Sequence, residues 1–305
     1  MPICITCSTP VKNLYTVYSK ADDRTLGKGV RLTQCPNCKR FADKYVEHDF
    51  VVLFIDLVLI KPQVYRHLLF NRLGRSDDKF DPSILRLGIL LVLFDVYITW
   101  ARIERTSAAA GGAECASKLS EMPILTQYLF FLTMNVLATL AQHGTIRMLV
   151  RALLAHTREQ GDRNDNKSPV SASTAETTPY SPGLTANYAS PSAISTALLV
   201  SSCTKLFPIL LVIWPTEARG GDSFGFAFRA TNYVGWAVLL NNIEALLVLL
   251  NCGYIVATGI AVSGVLARWL VEGWVLSLLG LGRETGPVGD IVAACRLLRG
   301  WLTGG

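Results

Sequence analysis

The sequence predicts a mainly α-helical, polytopic membrane protein with a small N-terminal β ribbon and an interfacial amphipathic helix behind it. Half of the 305 residues are hydrophobic and only 17% are charged, whereas soluble domains have roughly 25% charged residues. Apolar runs at 84–101, 124–142, 194–215 and 232–267 are close to or above the ~20 residues that cross a bilayer. The first 47 residues are instead polar and rich in cysteine.

The ribbon is predicted from two C-x-x-C motifs, Cys4–Cys7 and Cys35–Cys38, which are separated by 27 residues. Four thiolates presented from two tight turns suit a tetrahedral Zn²⁺ site, and a full set of protein ligands indicates a structural role. The intervening residues alternate apolar and polar around a Gly-containing turn, which is typical of a β-hairpin. Two disulfides or a redox motif are the alternatives, although no βαβ pattern accompanies these cysteines.

The segment at 48–73 follows the ribbon and is too short to cross a membrane. Phe50 to Ile60 is apolar except for Asp56, and Pro62 predicts a helix break after Ile60 or Lys61. An isolated carboxylate in an apolar run needs a partner, and Lys61 or Arg66 could supply it.

Beyond Pro62, apolar residues recur at helical spacing among basic ones, which is typical of a helix lying in the membrane interface. We expect Arg66 and Arg72 to face phosphate headgroups and Tyr65 to lie at headgroup depth. The alternative is a buried helix packed under the ribbon.

Three stretches in this part of the chain carry a family resemblance: "CITC…CPNC", then "FADKYVEHD", then "KPQVYRHLLFN". Together they resemble the homology domain of the Arv family over residues 1–75. The resemblance implies an endoplasmic-reticulum membrane protein involved in sterol distribution, sphingolipid homeostasis and glycosylphosphatidylinositol anchor assembly. It implies zinc ligation by Cys4, Cys7, Cys35 and Cys38. The family's recurrent motif corresponds to Lys61, Tyr65, Arg66, His67 and Asn71, without a settled chemical role.

Four spans are predicted, or five if 269–282 also inserts. The last apolar block, 232–267, would be ~54 Å long as one helix, so we expect a break at Asn251–Gly253. Glu244 within this block should face the protein interior or a polar cavity. The predicted segments are 1–47 (ribbon), 48–75 (interfacial helix), 76–156 (first membrane helix pair), 157–192 (Ser/Thr/Pro-rich linker without structure) and 193–305 (second membrane block).

The distribution of basic residues predicts the orientation. With four spans and a cytosolic N-terminus, fifteen of the Lys and Arg from Lys61 onward, Arg268 among them, fall on the cytosolic side and five on the lumenal side. The positive-inside rule therefore predicts cytosolic N- and C-termini. Because the cytosol is reducing, this orientation favours zinc over disulfides.

The function expected from these features is intracellular sterol transport and lipid homeostasis, with sterols, sphingolipids and glycosylphosphatidylinositol precursors as partners. Only the family resemblance points to these lipids. A scaffold that recruits lipid-synthesis enzymes is the alternative. We expect no enzymatic activity, since the sequence has no G-x-S-x-G, histidine box, P-loop or dinucleotide fingerprint. We also expect no nucleic-acid binding, because basic cytosolic loops account for the formal net charge of +6.

Overall fold

The computed structural model describes residues 2–19, 28–73, 80–109, 123–165, 190–207 and 223–278. The chain divides into two compact units, Met1–Leu85 with Leu153–Thr258 and Arg86–Ala152 with Gly259–Gly305. The predicted fold class is confirmed: the described part is mainly helical, with one small sheet near the N-terminus. Its helices are α1 (Phe50–Val58), α2 (Pro62–Arg66), α3 (Pro82–Ala109), α4 (Ile124–Asp165), α5 (Pro191–Ser201), α6 (Ser223–Leu250) and α7 (Tyr254–Leu278).

The N-terminal ribbon is an antiparallel pair of strands, β1 (Tyr15–Ser19) and β2 (Lys28–Leu32). Isolated bridges join Ile3 to Pro10 and Gln34 to Phe41, so a short hairpin flanks the sheet on each side. The C-x-x-C motifs lie in the turns of these two flanking hairpins. The predicted ribbon is confirmed.

The segment after the ribbon is broken at Pro62, as predicted. Helix α1 ends at Val58, and Pro62 occupies the first turn of α2, where its missing N–H costs nothing. The Ile60 amide bonds to the Leu57 carbonyl (3.0 Å) and the Lys61 amide to the Asp56 carbonyl (3.1 Å), a Schellman ending. Ile60 therefore adopts φ 56°, at a position that glycine usually occupies. A π-helical turn at His67–Arg72 continues α2.

In the first unit, α2 and α5 both pack against α6. A 3₁₀ turn at Ser202–Leu206 extends α5 and also contacts α6. The predicted third span, 194–215, is helical through Leu206, and its residues beyond Phe207 lie outside the described part. The apolar stretch Val234–Leu250 of α6 is shorter than a full span.

In the second unit, Val96, Phe131, Met134 and Leu276 form a small buried core. Three helices of the described part are long and apolar enough to cross a membrane, with most of their residues facing outward: Pro82–Trp100, Ile124–His156 and Tyr254–Ser277. The first two coincide with the first two predicted spans.

The remaining predictions on segment boundaries are in part corrected. The break in the last apolar block is confirmed, since α6 ends at Leu250 and α7 begins at Tyr254, with Asn251 at φ 49°. Residues 269–278 are not a separate helix but the end of α7, and 279–282 lie outside the described residues. Helix α4 continues to Asp165, nine residues into the predicted linker, while 166–189 are outside the described part.

Candidate functional site

The four N-terminal cysteines lie together, with their sulfur atoms within 4.8 Å of one another. Cys4 Sγ is 3.7 Å from Cys38 Sγ, and Cys7 Sγ is 3.5 Å from Cys35 Sγ. No two of them are bonded as a disulfide. A tetrahedral site with Zn–S bonds near 2.3 Å has sulfur–sulfur edges of about 3.8 Å, so this donor set fits a tetrahedral metal ion.

The backbone of the two knuckles explains why the sulfurs converge. In each knuckle, the amide of the residue directly after the motif bonds to the carbonyl of its first cysteine. Ser8 N–H bonds to Cys4 O (2.9 Å), and Lys39 N–H bonds to Cys35 O (3.0 Å).

 Ser8 and Lys39 then adopt left-handed backbone, at φ 60° and 59°. The two turns are thus built alike, and each presents two thiols to the same point.

The four thiols differ in their surroundings. Cys4 and Cys35 are buried, whereas Cys7 and Cys38 are half-buried. Burial raises the pKa of Cys4 to about 12. Burial also opposes ionisation of Cys7, but hydrogen bonds from Thr9, Cys35 and Cys4 outweigh it and lower the pKa of Cys7 to about 6. A bound cation would stabilise the thiolate form of all four.

The motif residues behind the ribbon fasten it to the helical segment. Asn71 is bonded to both backbone groups of Ile3, accepting from its N–H (2.9 Å) and donating to its carbonyl (3.0 Å). Asn71 also donates to Asp43 Oδ2 (2.7 Å), and His67 Nδ1 lies 2.6 Å from the same oxygen. Asp43 and His67 are buried, and His67 Nε2 has no hydrogen-bond partner among the described residues.

Arg66 holds the first knuckle. Its Nη1 atom donates to the carbonyl oxygens of Ile5 (2.9 Å) and Thr6 (3.1 Å), which lie between Cys4 and Cys7. The guanidinium therefore supports the backbone that carries two candidate metal ligands. This contact differs from the expected one with lipid phosphate, while Arg72 is exposed and its expected headgroup contact stays a prediction.

Asp56 has the partner that the sequence required. Lys61 Nζ donates to Asp56 Oδ1 (2.6 Å) and Tyr45 OH to Asp56 Oδ2 (2.8 Å). Burial disfavours the charged carboxylate, but these two hydrogen bonds outweigh it and hold the pKa of Asp56 below its usual value. Of the two candidate partners, Lys61 forms the ion pair.

Tyr65 joins the segment to α6. Its side chain is fully buried, and its hydroxyl donates to Asn241 Oδ1. Burial, and then the carboxylate of Glu244, raise the pKa of Tyr65, so it remains a donor at neutral pH. Asn241 in turn donates to Thr204 Oγ1 (2.8 Å). The side chain therefore does not face lipid, because α2 packs against a helix of its own chain, and its depth in the membrane stays a prediction.

Glu244 faces the interior, as expected for an acid within an apolar block. It is 9% exposed, and the positive charge of Arg66 acts on its carboxylate. The neighbouring Asn241 and Asn242 are also buried, and Ser201 of α5 donates to Asn242. Segment 48–73, α5 and α6 therefore meet in a layer of buried polar groups.

Sequence reasoning missed a second polar cluster, which lies within the candidate spans of the second unit. Arg268 in α7 pairs with Asp95 in α3 (3.3 Å) and with Glu272 one turn later (2.7 Å). It also donates to Asn135 Oδ1 (3.2 Å) in α4. The expectation that Arg268 flanks a span on the cytosolic side is wrong, because it lies inside Tyr254–Ser277.

The signal for this cluster was present in the sequence. Asp95 interrupts one predicted apolar run as Glu244 interrupts another, and an ionisable residue in a span needs a partner. Asp43 was also missed as a site residue, although it lies within the "FADKYVEHD" stretch. Its side chain caps a 3₁₀ turn by accepting from the Tyr45 amide (3.0 Å), a role that aspartate often fills.

These features define a helical membrane protein whose tetracysteine ribbon is fastened to the helices of its own chain. The family model described as the Arv1-like family matches residues 3–246. The chain belongs to the Arv1-like family.

Named relatives come from several kingdoms. The chain is 31% identical to Protein arv1 of Schizosaccharomyces pombe over 246 residues, covering 81% of this chain and 74% of that protein. It is 26% identical to Protein ARV1 of Saccharomyces cerevisiae, covering 88% of each. The Protein arv1 homolog of Dictyostelium discoideum is 43% identical over 103 residues, 33% of this chain and 40% of that protein. No solved structure matches the chain.

Proposed function

We propose that this protein maintains lipid composition in the endoplasmic-reticulum membrane by mediating the intracellular transport of sterols and related lipids. Membership of the Arv1-like family supports a role in lipid homeostasis. The observation that carries the proposal is a chain of contacts: Arg66 and Asn71 fasten the ribbon to the segment behind it, and Tyr65 fastens that segment to Asn241 of α6. The ribbon and α6 are thus linked through one short segment, which would let a lipid bound near the ribbon affect the position of α6.

The metal in this proposal is one Zn²⁺ held by Cys4, Cys7, Cys35 and Cys38. Four thiolates at tetrahedral spacing match the preference of zinc for sulfur. Because the thiolates complete the coordination sphere, the metal's role is to fold the ribbon. A sheet of two five-residue strands has little core of its own, so metal binding supplies much of its folding free energy.

The proposed orientation places both termini in the cytosol. Four of the fifteen, Arg86, Arg147, Arg151 and Arg268, lie within candidate spans, so eleven Lys and Arg remain on the proposed cytosolic side against five on the lumenal side. The excess of Lys and Arg is still on the proposed cytosolic side, so the positive-inside rule supports the same orientation.

The alternative proposal is a scaffold that does not itself move lipid. In that case the ribbon recruits lipid-synthesis enzymes to the membrane, and fastening to α6 only fixes where the partner docks. We propose no enzymatic activity in either case, and the names of the relatives state none.

Reconstitution tests the proposal. The full-length protein is placed in liposomes, and the movement of fluorescent sterol and phospholipid is measured for the wild type, for Tyr65→Phe and for the exposed control Lys12→Gln. We expect movement in the wild type and the control and slower movement in Tyr65→Phe. Wild-type protein that moves neither lipid, yet co-purifies with a stable partner enzyme, would contradict transport and support the scaffold.

A further inference from the structure

We propose that a cationic cavity beside the second knuckle binds the phosphate-bearing headgroup of an anionic membrane lipid. The cavity has a volume of about 420 Å³ and lies in the first unit, between the knuckles and the start of α2. The lining residues that matter here are Gln34, Lys39, Arg40, Phe41, Lys44 and Gln63. None of these residues is part of the expected headgroup motif.

The charge of the cavity selects for an anion. Lys39, Arg40 and Lys44 supply three positive charges, and no carboxylate lines the cavity in the described part of the chain. Lys39 and Arg40 are exposed, and neither forms a salt bridge with a described residue. Lys44 lies over the Tyr45 ring at 5.0 Å. A phosphate gains charge-assisted hydrogen bonds from such a set.

The knuckle also fixes the backbone positions from which two of these cations project. Lys39 adopts φ 59°, and the amide of Cys35 bonds to the carbonyl of Arg40 at 2.8 Å. Both residues therefore belong to the closed turn that carries Cys35 and Cys38. A binding site built on such a turn loses little backbone entropy when its ligand arrives, and the cost of binding is left to the side chains.

The size and the remaining lining residues favour a ligand larger than a phosphate ion. A volume of about 420 Å³ falls within the roughly 300–1,000 Å³ of small-molecule pockets. Gln34 and Gln63 offer amide groups that can bond to hydroxyls, and Phe41 offers an apolar ring. A phosphate joined to a polyol, such as a phosphoinositol headgroup, matches these groups.

The neighbouring helix α1 indicates that this ligand is in a membrane. The helix and its C-terminal cap carry large apolar side chains that are at least half exposed, namely Phe50 (71%), Val51 (65%), Ile55 (50%) and, at the cap, Leu59 (60%). Its inward face carries Asp56, on which the charge of Lys44 acts. An exposed apolar helix face next to a cationic site is the arrangement of interfacial lipid-binding segments.

We therefore assign the contact with lipid headgroups to Lys39, Arg40 and Lys44. The expected residue, Arg66, instead bonds through its Nη1 atom to the first knuckle. The inference rests on the proposed function only in placing the ribbon at a membrane surface. It does not depend on which lipid the protein transports.

The test uses the full-length protein in neutral detergent micelles. Binding of fluorescent phosphatidylinositol, added to the micelles, is measured by anisotropy for the wild type and for Lys39→Gln/Arg40→Gln. The control is Lys12→Gln/Arg31→Gln, which removes two exposed positive charges from the same ribbon outside this cavity. Metal content and the melting temperature show whether each variant is folded.

We expect the cavity variant to bind about 25-fold more weakly, since each basic residue near an anionic headgroup contributes about fivefold. The control should bind like the wild type, and Lys39→Arg/Lys44→Arg should retain binding. Equal affinity of the folded cavity variant and the control would overturn the proposal.

Two competitors identify the source of the phosphate. Soluble inositol phosphate that binds as tightly as the lipid would overturn the membrane source, and displacement of the lipid by an acidic peptide at equal concentration would point to a protein partner instead. Binding that needs the lipid supports the proposal.

Lipid movement is measured on the same variants, so that the two proposals can fail separately. A wild type that binds phosphatidylinositol but moves no lipid counts against the proposed transport and leaves the cavity assignment supported.

Discussion

The Asp43 carboxylate contacts His67, Asn71 and the backbone amide of Tyr45 while it is completely buried. Its Oδ2 atom contacts both His67 and Asn71, which lie four residues apart in the π-helical stretch. A single side chain of the ribbon thus determines how the motif residues of the next segment are held. Through these contacts His67 and Asn71 hold the ribbon against the segment that follows it.

Replacing Asp43 tests this role. In Asp43→Asn, one carboxylate oxygen becomes an NH₂ group, so the side chain can no longer accept at both positions. We expect a loss of roughly 2–4 kcal/mol in the free energy of unfolding, with the metal content unchanged because the thiols remain. The measurement is thermal unfolding in detergent with elemental analysis. Asp49→Asn is the control, since Asp49 is exposed and makes no capping hydrogen bond; equal melting of the two variants would refute the role.

Asp56 predicts a dependence on pH. Its pKa in the folded protein lies below the usual value of 3.8, so it stabilises the fold above that value. This contribution is lost as the pH falls through the folded pKa. We therefore expect wild-type protein to lose more stability than Asp56→Asn as the pH falls from 5 to 3. Thermal unfolding of both proteins across this range is the measurement, and metal release affects both alike. Parallel curves would contradict the prediction.

At the scale of the elements, the two helix breaks have different physical causes. Pro62 cannot continue a helix, and the chain leaves α1 through Ile60 in a left-handed conformation. The break between α6 and α7 needs no proline, because Asn251 tolerates that conformation and Gly253 follows it. Each break is three residues long, so α1 and α2, like α6 and α7, are separate helices.

Arg268 is expected to hold α3, α4 and α7 together. Arg268→Gln leaves Asp95 and Glu272 largely buried without a cation, and breaking a buried pair in this way costs about 3–5 kcal/mol. We expect a clearly lower melting temperature in detergent and a partial recovery in Asp95→Asn/Arg268→Gln. The control is Arg86→Gln, at an exposed position near the start of α3. A double variant as unstable as the sum of the single ones would show that the pair does not act as a unit.

At the scale of the whole molecule, the sequence predicts what depends on local pattern. The cysteine knuckles, the break at Pro62 and the break at Asn251 each follow from a few neighbouring residues, and each is confirmed. The contact of Tyr65 with Asn241 joins residues 176 positions apart, and no periodicity in either segment reports it. The exposure of Tyr65 was therefore predicted wrongly although its helix was predicted correctly.

The ribbon is expected to depend on its metal while the membrane helices do not. In Cys35→Ser one of four ligands is replaced by a poor one, so residues 1–47 should unfold while the spans stay inserted. Proteolysis of membranes containing this variant should remove the ribbon and leave the helical remainder protected. Full metal content in a variant lacking all four thiols, or a ribbon that resists proteolysis in Cys35→Ser, would contradict the prediction.

The proposed orientation predicts that Asn166 is not glycosylated, although "NKS" at 166–168 fits the acceptor pattern. The residue lies outside the described part of the chain, between α4 and α5. With cytosolic termini it faces the cytosol, where the modifying enzyme is absent. Glycosidase treatment should leave the electrophoretic mobility unchanged, and a shift that Asn166→Gln abolishes would reverse the orientation.

The long separation between Tyr65 and Asn241 has a consequence for biosynthesis. The first unit contains Met1–Leu85 and Leu153–Thr258, so its N-terminal part leaves the ribosome well before α6 exists. At about 5–20 residues per second, the 176 residues between the two partners take roughly 10–35 s to synthesise. Until then Tyr65 and Val64, both fully buried in the finished protein, have no helix to pack against. The apolar side of α2 therefore stays uncovered on the nascent chain until α6 is made, a period in which such surfaces are prone to aggregation.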